Sequence, residues 1–278
     1  MSQKSYDGNA SLYLIPTPIG NMDDITLRSI KTLEMVDFLL TEDTRITGVL
    51  LQHLNIKKRM YVNNDHNEEK NFNLVVNALS EGKNVGLVSD RGTPVISDPG
   101  YNIAKKVIEK GYNVVGLPGA TALIPALITS GIEPLPFLFY GFLNSKDSKL
   151  RKELEEIKKY KHTIIFYEAP HRINKTLENM KNILGDRKIS ISREISKRYE
   201  EIYRGNITDV MLELQEPKGE FVIVIEGNKE EDVYDDLSIE KQVELYESDG
   251  MSKMEAIKKV AKLRKVPKSE IYNLIHGK

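Results

Sequence analysis

The sequence predicts two α/β domains followed by a small helical tail. Three observations carry this. Short apolar runs of the buried-strand type, Leu12-Tyr13-Leu14-Ile15, Val85-Gly86-Leu87-Val88 and Val114-Val115-Gly116-Leu117, each end in a loop rich in Pro, Gly or both. Stretches of helical period separate them, and such alternation predicts a mostly parallel sheet covered on both faces. A polar, charged segment at 144–151 (NSKDSKLR) then interrupts the pattern, and a smaller α/β half follows it.

Residues 1–11 read as a polar tail, and the first half as 12–143. After the loop Pro16 to Asn21, the positions Ile25, Leu27, Ile30 and Leu33 mark a helix, and Asp37 to Thr41 a strand, completing a βαβ unit. Glu42-Asp43-Thr44-Arg45 places charge at that strand's end, before a helix carried by Val49, Leu50 and Leu54. Met60 to Val62 is a short strand, Asn63 to Glu69 a polar loop, and Phe72 to Leu79 a helix ending near Gly82. The segment VGLVSDRGTPVISDPGY at 85–101 is the centre of the chain: a strand, a turn-forming loop, then a helix up to Gly111 that Ser97 or Asp98 would cap with Pro99 in its first turn. Loops at strand carboxyl ends line the ligand crevice of open α/β sheets. Beyond Pro118 to Ala122 comes an apolar helix, and Phe137 to Tyr140 reads as the last strand of this half.

In the second half (152–229) the expected elements are a helix to Tyr160, strands at His162 to Tyr167 and Lys188 to Ser192 with a helix between them, a strand at Tyr199 to Arg204, a helix to Leu214 and a closing strand at Glu220 to Glu226. An acidic stretch, Glu230 to Asp236, opens the tail (230–278). From Met251 on, Lys and Arg outnumber acids around an apolar stripe at Ala256, Ile257, Val260, Ala261 and Leu263. The tail is either a solvated helical cap or a helix-turn-helix-like arm for a phosphate backbone.

At 278 residues the chain is long enough for two real cores, and 40% hydrophobic with 29% charged residues is ordinary globular composition. It has no cysteine, which removes disulfides, thiolate catalysis and Cys-based metal sites. No apolar run approaches the roughly 20 residues of a membrane span and no targeting segment is evident, so a cytoplasmic protein without a membrane partner is expected. A formal net charge of -1 means that nucleic-acid binding would rest on a local patch. G-x-G-x-x-G, Walker A, H-E-x-x-H and G-x-S-x-G patterns are absent, which leaves dinucleotide, nucleotide, zinc and hydrolase readings without support; no metal is expected.

Taken together, LYLIPTPIGN (12–21), TEDTR (41–45), DHNEE (65–69), SDRGTPVISDPGY (89–101), LPGATALIPAL (117–127) and FYGFL (139–143) resemble one family, the small-subunit ribosomal RNA methyltransferases of the tetrapyrrole-methylase-like class. TIIFYEAPHRI (163–173), ISREISKRYEEIYRG (191–205) and KGEFVIVIEG (218–227) continue the likeness. Two positions depart from the family's pattern: Arg91 stands where a small residue is usual, and Ala120-Thr121 where Pro-Ser or Pro-Cys is usual, though Thr121 keeps a hydroxyl. The resemblance implies methyl transfer from S-adenosylmethionine to the ribose 2′-hydroxyl of a cytidine in 16S rRNA within the small ribosomal subunit. It also implies a homodimer, with the cofactor in a cleft between the two α/β domains.

On that resemblance the cofactor is expected at Pro18, Ile19, Asp90, Thr93, Pro94, Ile96, Pro118, Gly119, Thr121, Ala122, Phe166, Tyr167, Glu220 and Phe221. The chemistry is consistent with this: a sulfonium, an amine, a carboxylate and an adenine call for carbonyls, backbone amides and an aromatic face. Phe166 and Tyr167 have plain core packing as their alternative. A base, or its orienting group, is sought among Glu42, Asp43, His66 and Glu68; a helix N-cap with a local ion pair is the competing account of Glu42 to Arg45. Arg45, Arg91, Arg172 and Arg193 are candidate phosphate contacts, because the guanidinium fork suits phosphate oxygens. Two other functions compete, a methyltransferase of the same fold acting on a tetrapyrrole or other small molecule, and a non-catalytic RNA-binding protein.

Overall fold

The computed structural model describes residues 2–5, 7–64, 67–214, 217–229 and 237–276. It divides into one unit spanning 1–228 and a second spanning 229–278.

The first sheet comprises β1 (Ser11–Ile15), β2 (Phe38–Thr41), β3 (Arg59–Val62), β4 (Val85–Val88) and β5 (Asn113–Gly116) in the order β3-β2-β4-β1-β5. Every pairing is parallel. Helices α1 (Leu27–Met35), α2 (Thr44–His53), α3 (Glu68–Ser80) and α4 (Tyr101–Glu109) connect the strands. Side chains alternate across a strand, so Leu12 packs with Phe72, Val75, Ile103 and Val107 of α3 and α4, while Tyr13 and Ile15 pack with Leu33 and Leu51 of α1 and α2 on the opposite face. This is the doubly covered parallel sheet that the continuous apolar runs predict.

After α5 (Leu123–Thr129) come β6 (Phe137–Phe142), α6 (Asp147–Ile157), β7 (Thr163–Glu168), α7 (Ile173–Leu184), β8 (Lys188–Arg193), β9 (Glu201–Asn206), α8 (Ile207–Glu213) and β10 (Phe221–Ile225). The second sheet runs β6-β7-β10-β8-β9, with β6 parallel to β7 and the other pairs antiparallel. One face packs on α6, α7 and α8 through Leu154, Leu177 and Val210; the other carries Ile165, Val222 and Val224 against Ala126 and Leu127 of α5.

Two expectations are corrected. The strand read at Phe137 to Tyr140 does not close the first sheet; it pairs with β7, from Phe137 opposite Thr163 onward, and belongs to the second. The polar segment 144–151 is not a free linker, because α6 begins at Asp147 and turns Leu150, Leu154 and Ile157 inward. Asp147 sits in its first turn, where negative charge is favoured, which explains why so polar a stretch is helical.

The second unit is helical: α9 (Ile239–Ser248), α10 (Lys253–Arg264) and α11 (Lys268–His276). Val243, Tyr246, Ala256, Ile257, Val260, Ala261 and Ile271 form its core, and α10 starts in a capping box between Ser252 and Glu255.

Candidate active site

The three Pro/Gly loops at the carboxyl end of the parallel sheet are laced together. Thr17 and Gly92 exchange both backbone hydrogen bonds (2.9 and 3.0 Å), joining the loops after β1 and β4, and the Thr17 hydroxyl donates to the Ser89 carbonyl at 3.2 Å. Thr93 Oγ1 donates to the Ala120 carbonyl at 3.0 Å, bringing in the loop after β5. Gly92 permits this geometry: its φ is +83°, and a Cβ there would lie 3.1 Å from Ile19 Cγ2. Gly119 has a similar reason, since a Cβ would stand 2.4 Å from Pro16 Cβ.

Past Thr93 the backbone enters the left-handed region twice at residues other than Gly, at Val95 (φ 76°) and Ser97 (φ 64°). The chain then enters α4 through Gly100 at φ 120°, and no side chain caps that helix. Capping by Ser97 or Asp98 is therefore not what happens. Gly100 supplies the turn, closing on Leu87, and the two polar side chains are released.

They face a cavity of about 430 Å³. Ile19, Arg91 to Thr93, Ile96 to Asp98, Thr121 and Ala122 line it from the first sheet's loops, and Phe142, Tyr167 to Pro170, Ile195 and Glu220 to Val222 from the second sheet. The size and the largely apolar wall are those of a small-molecule site. Tyr167 of β7 lines the cavity together with Thr121 and Ala122 of the loop after β5. Burial raises its phenol above the ordinary value.

The charges around this cavity are unevenly compensated. Arg91 pairs with Glu220, whose other oxygen accepts from Lys197 Nζ at 2.8 Å; Lys197 also donates to Glu194 at 2.8 Å. Glu168, with its side chain 1% exposed, accepts from Arg172 Nε at 2.8 Å and from the Thr176 hydroxyl at 2.6 Å. Against these satisfied groups stands an acidic cluster from two loops. Burial, then the charges of Glu42 and Asp90, push the Asp98 carboxyl up to about 7. Burial, then Asp90 and Asp43, also raise Glu42, and burial raises Asp90, which accepts from the Asp43 N–H at 3.0 Å.

Of the positions expected from sequence, Ile19, Arg91, Thr93, Ile96, Thr121, Ala122, Tyr167, Glu220 and Phe221 line the cavity. Gly119 lines an adjoining recess of about 580 Å³, together with Asn21 and Asp24. Pro18, Asp90, Pro94 and Pro118 are not in the wall of either. Phe166 is corrected: it is fully buried in the core beneath α7, because alternation along β7 turns it away from the face that Tyr167 presents.

Asp43 is also corrected as a base. It caps α2 by accepting from Arg45 N at 2.8 Å and binds the Arg45 guanidinium, whose hydrogen bonds pull it down to about 2. Glu68 accepts from Asn102 Nδ2 at 2.9 Å and does not line the cavity, and His66 lies outside the described residues. Arg172 spends its guanidinium on Glu168 and the Leu143 carbonyl, and Arg193 on Glu201 and the Lys218 carbonyl, so both act inside the fold.

Sequence reading missed Ser97, Asp98, Phe142, the Glu168-Ala169-Pro170 turn and Ile195. A signal existed for the turn: an acid and a Pro directly after a buried strand run repeat the pattern of the first-half loops.

Comparison with known proteins places this arrangement. The profile of the Tetrapyrrole (Corrin/Porphyrin) Methylases matches residues 11–211. The ribosomal RNA small subunit methyltransferase I of Bacillus subtilis is 47% identical, the match covering 99% of this chain and 98% of that one. The protein of the same name from Haemophilus influenzae is 44% identical over 82% of each. Among solved structures, diphthine synthase superposes with a TM-score of 0.59 at 14% identity, covering 79% of this chain and 90% of its own. The uroporphyrin-III-C-methyltransferase of Thermus thermophilus superposes with a TM-score of 0.56 at 17% identity, covering 78% and 94%. At those identities the superpositions establish the fold alone.

Proposed function

This chain belongs to the tetrapyrrole methylases and, among them, to the ribosomal RNA small subunit methyltransferase I family, and from that premise we propose that it transfers a methyl group from S-adenosylmethionine to ribosomal RNA. The finer reading is a cytidine ribose 2′-hydroxyl in the 16S rRNA of the small subunit, acted on in the cytoplasm by a homodimer. One observation carries RNA over a tetrapyrrole as substrate. The match to the Bacillus subtilis relative runs over 99% of the chain, through the helical unit, whereas the tetrapyrrole methylase profile ends at residue 211.

The cavity residues suit the cofactor. Adenine and a thioether chain find Ile96, Ile195, Phe221 and the Tyr167 ring, whose face also suits a sulfonium. The lining cation Arg91 is already neutralised by Glu220. When bound, S-adenosylmethionine supplies a methyl carbon made electrophilic by its sulfonium. The protein's part is to bind and orient. The interlaced loops preset the backbone groups, and the apolar wall limits water at the reacting centre. Holding a hydroxyl in near-attack geometry is worth roughly 7–11 kcal/mol of the barrier.

The test is incubation of the protein with labelled S-adenosylmethionine and small ribosomal subunits lacking the modification, followed by digestion to nucleosides. Labelled 2′-O-methylcytidine is the expected product. Cofactor binding without label in RNA would transfer the assignment to a small-molecule acceptor, and no cofactor binding would leave a non-catalytic RNA-binding protein. Light scattering in solution reads the dimer directly.

A further inference from the structure

Asp98 stands in the cavity wall with no task yet given to it. The segment that presents it is pinned at one end by the Thr17–Gly92 bridge and the Thr93–Ala120 bond, and at the other by Gly100 closing on Leu87. Between these anchors lie the left-handed Val95 and Ser97. A β-branched residue persists in that region only where its surroundings over-determine it, and such strain gathers at functional sites. Asp98 follows directly, lines the cavity, and has no hydrogen-bond or ion-pair partner among the described residues. The other charged groups in the wall are engaged, Arg91 with Glu220 and Glu168 with Arg172.

We propose that Asp98 is the catalytic residue that takes the proton from the acceptor hydroxyl during methyl transfer. The inference rests on the functional reading above. The acceptor O–H bond breaks and its proton passes to a carboxylate oxygen of Asp98. The oxygen's electron pair forms the new bond to the methyl carbon, and the carbon–sulfur pair remains on sulfur, leaving a neutral thioether. Asp98 afterwards returns the proton to water.

Its surroundings suit the role. Glu42 from the end of β2 and Asp90 from its own loop press on it with like charge, and Tyr167 faces it from β7 with a phenol that burial keeps neutral. A carboxyl held at about 7 carries an appreciable deprotonated fraction at neutral pH and is a far stronger base than an ordinary aspartate. Glu42 and Asp90 are then positioning residues that set the proton affinity of Asp98.

The test is Asp98→Asn, which removes the base and leaves no former partner unpaired. Calorimetry should give S-adenosylhomocysteine affinity within about threefold of the parent, while the single-turnover rate on unmodified subunits falls by about 10²- to 10⁴-fold. The parent's rate should rise with pH to an inflection near 7, absent in the variant. Carbon-13 NMR of the free protein should show the Asp98 carboxyl titrating at that midpoint, and Glu42→Gln should lower it. An Asn variant with the parent's rate, a rate loss accounted for by weaker cofactor binding, or an Asp98 midpoint near 4 would each overturn the proposal. Failure of the parent itself to label RNA defeats the functional reading instead, and the NMR and calorimetry still read Asp98.

Discussion

Replacing Asp98 by Asn should raise the stability of the protein, and the gain should grow with pH. In the folded chain the carboxyl lies at about 7 against an ordinary value of 3.8. A group whose folded value is raised favours the folded state fully only below its unfolded value, and that advantage is lost as pH rises through the folded one. The window therefore runs from about pH 4 to about pH 7, and above it the destabilisation is constant. Complete burial would set a ceiling of about 4 kcal/mol. Asp98 keeps part of its surface on the cavity, where water screens it, so about 1–2 kcal/mol is the reasonable expectation. For a unit of this size that corresponds to a melting temperature higher by about 2–8 °C at pH 8, with most of the difference gone at pH 4.5. Differential scanning calorimetry of parent and variant across that range, without cofactor, measures it. A difference that does not change with pH would refute the reasoning, since a packing effect would have no such window.

Two further substitutions test the architecture around the cavity. Gly119→Ala would drive a methyl to 2.4 Å from Pro16 Cβ and 2.7 Å from its Cγ, and a proline ring cannot rotate away. The expected cost is about 1–3 kcal/mol, with weaker S-adenosylmethionine binding; an unchanged melting temperature and affinity would mean that the loops after β1 and β5 are not held as described. Arg172→Ala leaves the carboxylate of Glu168 buried without its cation and should cost about 3–5 kcal/mol, read by calorimetric melting. The same variant should leave the salt dependence of RNA binding unchanged, and a slope lower by about one would restore Arg172 as a phosphate contact.

What was legible in the sequence divides along physical lines. The three Pro/Gly loops could be placed because buried runs and turn formers are local signals, and their convergence follows from a parallel sheet putting all its carboxyl ends on one edge. The strand at Phe137–Phe142 was visible as a strand but not as a member of the second sheet, because which neighbour a strand pairs with is decided by tertiary packing. Phe166 and Tyr167 show the same limit. Alternation says that one faces the core and the other does not, but only the position of α7 and of the first-half loops decides which. Asp98 was hidden for another reason. Ser-Asp-Pro-Gly ahead of an apolar helix reads as a cap, and the left-handed turns at Val95 and Ser97 that lift it into the cavity have no signature in residues of those types.

Arg91 lines the cavity, and its surroundings explain how a cation can stand beside a site proposed for a cationic donor. Glu220 neutralises it, and Lys197, which Glu220 also holds, is shared with Glu194. Glu220→Gln would release Arg91, while Lys197 keeps its bond to Glu194. At a separation on the order of 10 Å and an effective dielectric of about 40–80, the uncovered Arg91 charge repels a sulfonium by roughly 0.4–0.8 kcal/mol, or about two- to fourfold in affinity. The thioether of S-adenosylhomocysteine carries no such charge, so the variant should bind S-adenosylmethionine less well while holding the product analogue nearly as before. The difference should shrink as salt is added. Calorimetric titration with both ligands at low and moderate ionic strength measures the ratio directly. Equal losses for the two ligands would mean that Glu220 acts by direct contact with a shared part of the molecule, and the account of Arg91 as a neutralised cation would fall.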